Sequence, residues 1–343
     1  QVEFETAARL DPMMAAPHFQ LFNAYRVAKR AADAQRELAT FNEIKKQQTA
    51  SGMTEDIDWS YYSEVLEVIA PVGAEAPPAV EVVFEAQRLG TLGGAGLGLM
   101  TLDADADGRV DVLAFSSGRA VLFANGAKGF TAVPLEGVAG PVAAGDFNND
   151  GFPDLCAGAL LVTNEKGKFR AADKPLAAGS FRKCLWIDYD HDYDLDLLLA
   201  GSASALMRNN GDGSWTAATS SFPFAAGEAV DAAVLEVGDS TNSFDVVVAY
   251  QNQPAVLYRD RKAGKYEAMP LGFQLAAGLQ VGDFNQDGHL DLAAGSQLVE
   301  NQRGVLKQGP GLPASAGVFA DFYNRGRADL LAGADLFLHR GGL

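Results

Sequence analysis

Oxygen-bearing side chains recur at fixed places in the ten residues 146–155, DFNNDGFPDL. Asp146, Asn148, Asp150 and Asp154 stand first, third, fifth and ninth, and Gly151 stands sixth. Hard cations such as Ca²⁺ take six to eight oxygens at about 2.3–2.6 Å, and short acidic side chains alternating along a tight loop supply them. The seventh residue, Phe152, offers only its backbone carbonyl, so its side chain is free to vary. Glycine at the sixth place allows a sharp turn that other residues resist.

The same layout returns along the chain. Asp103, Asp105, Asp107 and Asp111 flank Gly108, with Arg109 at the carbonyl place. Asp283, Asn285, Asp287 and Asp291 flank Gly288, with His289 seventh. Asp188, Asp190, Asp192 and Asp196 match as well, with Asp194 seventh and Tyr193 where glycine is expected. A copy at 321–329 keeps the frame but has Arg325 at a ligand place, which puts a cation beside a cation. A last one at 237–245 retains only Asp239, Asn242 and Asp245. We therefore expect about four Ca²⁺ sites, with no ion at 237–245 or 321–329. Asp, Asn and Gly also favour plain solvated turns, and that reading fits the 321–329 copy. Four loops in one ninefold register are not explained by it.

Rival metal motifs fail. An EF-hand needs a bidentate glutamate at place twelve between helices, but place twelve here is Ala114, Ala157, Leu199 or Ala294, on strand-like flanks. A nonapeptide Ca²⁺ β-roll fails on period. Mg²⁺ demands octahedral geometry and keeps its waters. The expected role of the ion is structural, since each loop crowds carboxylates that repel one another without it.

The elements that must position these loops follow from the spacing. Loop starts at 103, 146, 188, about 237, 283 and 321 give a repeat of roughly 38 to 49 residues, the range of a β-propeller blade. Four strands are legible per repeat. One enters the loop (142–145) and one leaves it (155–158, 195–200). A third carries a hydrophobic–aromatic pair and often ends in Asn-Gly (122–126, 206–211, 336–337). A fourth carries an aromatic, any residue, then alanine: Phe130 and Ala132, Phe169 and Ala171, Trp215 and Ala217, Tyr266 and Ala268, with a weak copy near Val305. Phe84 and Ala86 repeat that last signature before the first loop, and the final repeat stops after its third strand. The prediction is a mainly β chain, a six-bladed β-propeller over 80–343. An N-terminal strand at about 80–89 completes the last blade and covers an open edge.

The loops GDFNNDGFPDL, GDFNQDGHLDL and DYDHDYDLDL resemble the FG-GAP/VCBS type of repeat, found in integrin α-subunit heads and many secreted bacterial proteins. The resemblance covers 80–343. It implies a propeller holding Ca²⁺ between the first two strands of a blade, and no single activity.

Residues 1–50 read as helices: 1–10, stopped at Asp11-Pro12, then 15–29 and 31–46 as a hairpin. Ala7, Leu10, Pro12, Leu21, Tyr25, Ala34 and Leu38 resemble a tetratricopeptide repeat. Phe22 and Lys46 depart from that pattern, so a plain helical hairpin remains the alternative. About one and a half repeats are present, while such repeats need about three to bury their faces. This arm must therefore dock on the propeller, on an upstream segment or on another chain, and residues 1–70 are the expected route to self-association or a protein partner. Residues 51–79 form a connector containing Trp59, Tyr61, Tyr62, Leu66 and Ile69, punctuated by Pro71, Pro77 and Pro78.

The 343 residues carry a formal charge of −17 and 37 glycines, with 48% hydrophobic residues. The acidity argues against nucleic acid, whose phosphates would be repelled, and against an anionic membrane surface. No run of eighteen apolar residues exists, so no span is expected. The start is not a basic head followed by an apolar core, which suggests a processed or partial chain. Two cysteines, Cys156 and Cys184, fit either a blade-to-blade disulfide or two buried thiols. His18, His191, His289 and His339 are scattered, and no HExxH, GxSxG, Walker loop or paired CxxC occurs. The expected class is a non-enzymatic, Ca²⁺-stabilised binding or assembly module, extracellular, at the cell surface or periplasmic. Alternatives are a lectin-like propeller binding a glycan or peptide, and a polysaccharide-active enzyme.

Overall fold

The computed structural model describes residues 2–10, 12, 15–51, 87–238, 243–315, 317–323, 326, 328–332 and 335–338. The chain separates into two compact units, Gln1–Pro78 and Ala79–Leu343.

Among the described residues the first unit contains three helices, α1 (Val2–Leu10), α2 (Ala15–Val27) and α3 (Ala31–Ser51). α2 ends in a Schellman turn. Lys29 takes the left-handed conformation (φ 58°), and the Arg30 N–H reaches back to the Tyr25 carbonyl at 2.9 Å. Leu21, Tyr25 and Ala34 form the small core. A buried His18–Glu37 pair at 2.8 Å joins α2 to α3, and the Tyr25 hydroxyl donates to Glu5 at 2.8 Å. The predicted connector at 52–79 lies outside the described residues.

The second unit is mainly β and forms six blades, each a meander of antiparallel strands. The blades are β1–β4 (Gly98–Leu102, Asp111–Phe115, Ala120–Gly126, Gly129–Leu135); β5–β8 (Val142–Gly145, Asp154–Ala157, Leu160–Asn164, Phe169–Ala171); β9–β12 (Phe181–Ile187, Asp196–Gly201, Ala205–Asn209, Trp215–Ala217); β13–β16 (Ala229–Leu235, Asp245–Tyr250, Val256–Asp260, Tyr266–Pro270); β17–β20 (Gln280–Gly282, Asp291–Ala294, Gln297–Asn301, Leu306–Gly311); and β21–β23 (Val318–Ala320, Asp329–Ala332, Asp335–Phe337). The six-bladed propeller predicted from the repeat is therefore present. The last blade shows three strands among the described residues. The predicted closing strand lies largely outside them, and residues 87–89 have no strand pairing.

Second strands read as unbroken apolar runs because both of their faces are covered. β10 (DLLLAG) and β14 (DVVVAY) are buried at every residue. Side chains alternate across a strand, so Leu197 and Leu199 pack with blade two while Leu198 packs with blade four. Each pair of consecutive blades from one to six shares such a core. Cys156 and Cys184 fall in the core between blades two and three as free, buried thiols. The Cys184 thiol lies 3.4 Å from the Pro141 carbonyl.

One register feature sets up the site. In all six blades the last residue of the first strand pairs with the aspartate that ends the loop, which stands ninth except in blade four, where the stretch from Leu235 to Asp245 is one residue longer. The pairs are Leu102 with Asp111, Gly145 with Asp154, Ile187 with Asp196, Leu235 with Asp245, Gly282 with Asp291, and Ala320 with Asp329. Each acidic loop is thus the hairpin connection between first and second strands.

Candidate metal centres in the blade loops

The four complete loops share one backbone. Their sixth residues Gly108, Gly151, Tyr193 and Gly288 have φ between 74° and 88°. Their fourth residues, Ala106, Asn149, His191 and Gln286, are also left-handed, with φ between 57° and 64°. The fourth place was invisible to sequence reasoning because no glycine marks it.

This double reversal aims backbone N–H groups inward. The first aspartate accepts the N–H of places five and six. Asp103 takes Asp107 and Gly108 (3.1 and 2.9 Å), Asp146 takes Asp150 and Gly151 (3.0 and 2.8 Å), Asp188 takes Asp192 and Tyr193 (3.0 and 3.1 Å), and Asp283 takes Asp287 and Gly288 (3.1 and 3.0 Å). The fifth aspartate accepts the N–H of the seventh residue, which is Arg109, Phe152, Asp194 or His289, at 2.9–3.1 Å. Third-place oxygens of Asp105, Asn148 and Asn285 accept the fifth N–H. Carboxylates are thereby pre-set in one arrangement.

The ninth aspartate is the buried floor. One oxygen of Asp111, Asp154, Asp196 and Asp291 accepts the N–H of an asparagine closing the third strand: Asn125, Asn164, Asn209 or Asn301, at 2.6–2.8 Å. The other oxygen of Asp111, Asp196 and Asp291 accepts the second-place N–H of Ala104, Tyr189 or Phe284. In the second loop Asp154 Oδ2 is buried with no hydrogen-bond partner. Burial pushes Asp154 up to about 6 and Asp196 up to about 7, and it raises Asp291 too. Both values exceed the ordinary carboxylate near 4.

The structure gathers Asp103, Asp105 and Asp111, and likewise Asp188, Asp190 and Asp196, with ligand atoms within 4.8 Å of one another. The fifth-place aspartates of these two loops turn to arginines. Arg109 pairs with Asp107. Arg208, on β11, contacts Asp190 at 2.5 Å and Asp192 at 2.7 Å. Asp190 Oδ1 nevertheless stays buried and unpartnered. A buried carboxylate oxygen with no donor is costly, and a hard cation satisfies it. The donor set therefore fits Ca²⁺ at the first, second and third loops, and the fourth shares the same hydrogen-bond frame.

Besides the left-handed fourth place, two features escaped the sequence. The first is Arg208, whose partner lies across a hairpin. The second is the closing asparagine, whose amide crosses to the preceding blade. Asn164 donates to the Ala104 carbonyl (2.8 Å), Asn209 to Phe147 (2.8 Å) and Asn301 to Val237 (3.0 Å). In blade four an aspartate, Asp260, takes this place and meets His191 of blade three at 2.7 Å. The recurring Asn after the third strand was visible, but only as a turn residue. In the weak loop, Asp245 keeps the floor contacts to Val237 and Asp260 at 3.0 and 2.8 Å. Asp239 and Asn242, and Asn324 and Arg325 of the last copy, lie outside the described residues.

Residues 103–157 match the FG-GAP-like repeat family, which spans the first loop to the end of the second. Comparison with curated proteins gives no match. Among solved structures, the chain is similar to an Agrocybe aegerita lectin that recognises non-reducing terminal N-acetylglucosamine (16% identity, TM-score 0.44, covering 69% of this chain and 74% of that one). It is also similar to BBS1N in complex with ARL6DN (12%, 0.44, 64% and 67%) and to the V. cholerae biofilm matrix protein Bap1 (14%, 0.37, 66% and 41%). At these scores the likenesses say nothing of ligand or partner.

Proposed function

We propose that this chain is a non-enzymatic, Ca²⁺-stabilised propeller that serves as an extracellular or cell-surface binding and assembly module. The observation that supports it best is the loop frame repeated in four blades, which holds acidic groups together on buried floors. Asp103, Asp105 and Asp111 would hold one ion, and Asp188, Asp190 and Asp196 another. Asp146, Asn148 and Asp154, with Asp283, Asn285 and Asp291, would hold two more. The fifth-place aspartates and the carbonyls of Arg109, Phe152, Asp194 and His289 complete the sets. The ion supplies charge neutralisation and rigidity, not reaction chemistry. Exposed carboxylate loops of this kind suit a compartment rich in Ca²⁺, where modules bind at about 10⁻⁴–10⁻³ M.

Assembly is supported by the helical unit. Phe4, Leu10, Phe19 and Val27 are exposed on it, and one and a half helical repeats leave apolar surface to cover. A second copy of the chain is the partner we propose. No helix among the described residues is long and apolar enough to cross a membrane, which says nothing of β-barrels.

The deciding experiment is calorimetric Ca²⁺ titration of the metal-stripped chain, paired with light scattering. Saturable binding of about four ions, with larger particles in Ca²⁺ than in EDTA, is expected. No bound Ca²⁺ would overturn the metal reading, and a monomer in both buffers would overturn assembly.

A further inference from the structure

A cavity of about 530 Å³ opens where the first strands of five consecutive blades begin, at the end away from the metal loops. We propose that it binds a small monoanionic ligand joining a carboxylate to an apolar body. Its volume falls in the range of small-molecule sites, about 300–1,000 Å³, which pair apolar walls with a few placed polar groups.

The lining is mixed, and its two aromatic walls are held from behind. Phe115 lies against Gly98, where an added Cβ would come within 2.3 Å of the ring, and Phe181 lies against Gly179, at 2.8 Å. Backbone without side chains lets the two rings sit close and fixed, which lowers the ordering cost of binding. Leu97, 65% exposed, adds to the same lining.

The charges select the head group. Lys183, Arg182 and Asp231 are the titratable residues of the lining. Asp231 is buried and already satisfied. Its Oδ2 accepts the N–H of Gly278 (2.7 Å) and Leu279 (2.9 Å), and its Oδ1 accepts the N–H of Ala232 (2.8 Å). Lys183 Nζ forms an ion pair with that carboxylate at 3.6 Å, longer than a hydrogen bond, so its N–H groups can still donate to a ligand. Arg182 pairs with Glu228 at 3.2 Å, an exposed pair of little strength. The cavity thus offers one ammonium not already hydrogen-bonded beside two aromatic walls. In a chain of net charge −17, this favours a single negative charge over a dianion such as phosphate.

The test uses the full chain in Ca²⁺ buffer and two probes with one body: N-acetyl-phenylalanine and its uncharged amide, measured by calorimetry and ligand-observed NMR. We expect saturable binding of the acid, with the amide on the order of tenfold weaker or more. Lys183→Met should erase the difference, with a lower melting temperature because buried Asp231 loses its counter-charge, while Lys183→Arg, which keeps the charge, should retain the preference. The proposal is overturned if neither probe binds, if both bind equally, or if Lys183→Met leaves the preference intact. Because Ca²⁺ loading is held constant, none of these outcomes bears on the metal sites.

Discussion

Single residues decide how the loops respond to protons and cations. In the metal-free protein, burial holds Asp154 and Asp196 protonated up to about pH 6 and 7. Their folded values exceed the unfolded one near 4, so the folded state binds more protons in between. The stability that these two groups contribute is therefore full below about pH 4 and is lost as pH rises towards 7. A bound cation favours the ionised form and removes that loss. The gain in melting temperature from Ca²⁺ over EDTA should accordingly be larger at pH 7.5 than at pH 5. An equal gain at both would contradict the assignment. At saturation each site should be worth roughly 5–10 °C. Arg208 supplies a second test. Arg208→Met leaves Asp190 and Asp192 unneutralised, so the apo protein should melt lower while the third loop binds Ca²⁺ more tightly, as read by calorimetry. Tyr193 is 90% exposed at φ 74°. Tyr193→Gly should stabilise by a few tenths to about 1 kcal/mol in urea unfolding, with relief of the left-handed strain partly offset by unfolded-chain entropy.

At the level of elements, the ninth aspartate does two jobs that the motif alone conflates. In the complete loops it forms the floor of the acidic cluster where we propose a cation. Asp111, Asp196, Asp245 and Asp291 also pin the start of the loop to the end of the third strand, whereas Asp154 holds only the third-strand side. Asp245 shows the second job without a metal frame that we expect to bind. Asp245→Ala should cost about 1–3 kcal/mol by stranding the buried Val237 and Asp260 N–H groups, with Ca²⁺ stoichiometry unchanged. A loss of one bound ion would show instead that the weak loop is a site. Asn164 is fully buried and bonds to the Ala104 and Pro153 carbonyls and the Gly167 N–H. Asn164→Ala should cost a similar amount, and hydrogen exchange should quicken in blades one and two together, because the lost bond crosses between them.

For the whole molecule, the propeller unit is a chain of consecutive blades, each sharing a core with the next. A single large-to-small change in a shared core, such as Leu198→Ala, should cost about 2–5 kcal/mol and lower one cooperative transition, not melt one blade alone. The helical unit has a core of a few residues and exposed Leu10 and Val27. Replacing both with serine should leave Ca²⁺ binding intact and shrink the particles seen by light scattering. Unchanged particle size would remove this surface from the assembly reading.

The sequence by itself determined the number of blades, the strand order within them and the places of the acidic loops. Those follow from local rules: a period, a two-residue alternation and a fixed ninefold spacing such as that from Asp146 to Asp154. It could not show that Ala106 and Asn149 adopt a left-handed turn, since no residue type there demands it. Nor could it pair Arg208 with Asp190, Asn164 with Ala104, or His191 with Asp260, whose partners are 18, 60 and 69 residues apart. Strand pairing within a blade brings the first pair together, and only the packing of one blade on the next brings the other two pairs together. That packing also buries the floor aspartates, and burial, not spacing, raises their affinity for protons and leaves oxygens that a cation can satisfy.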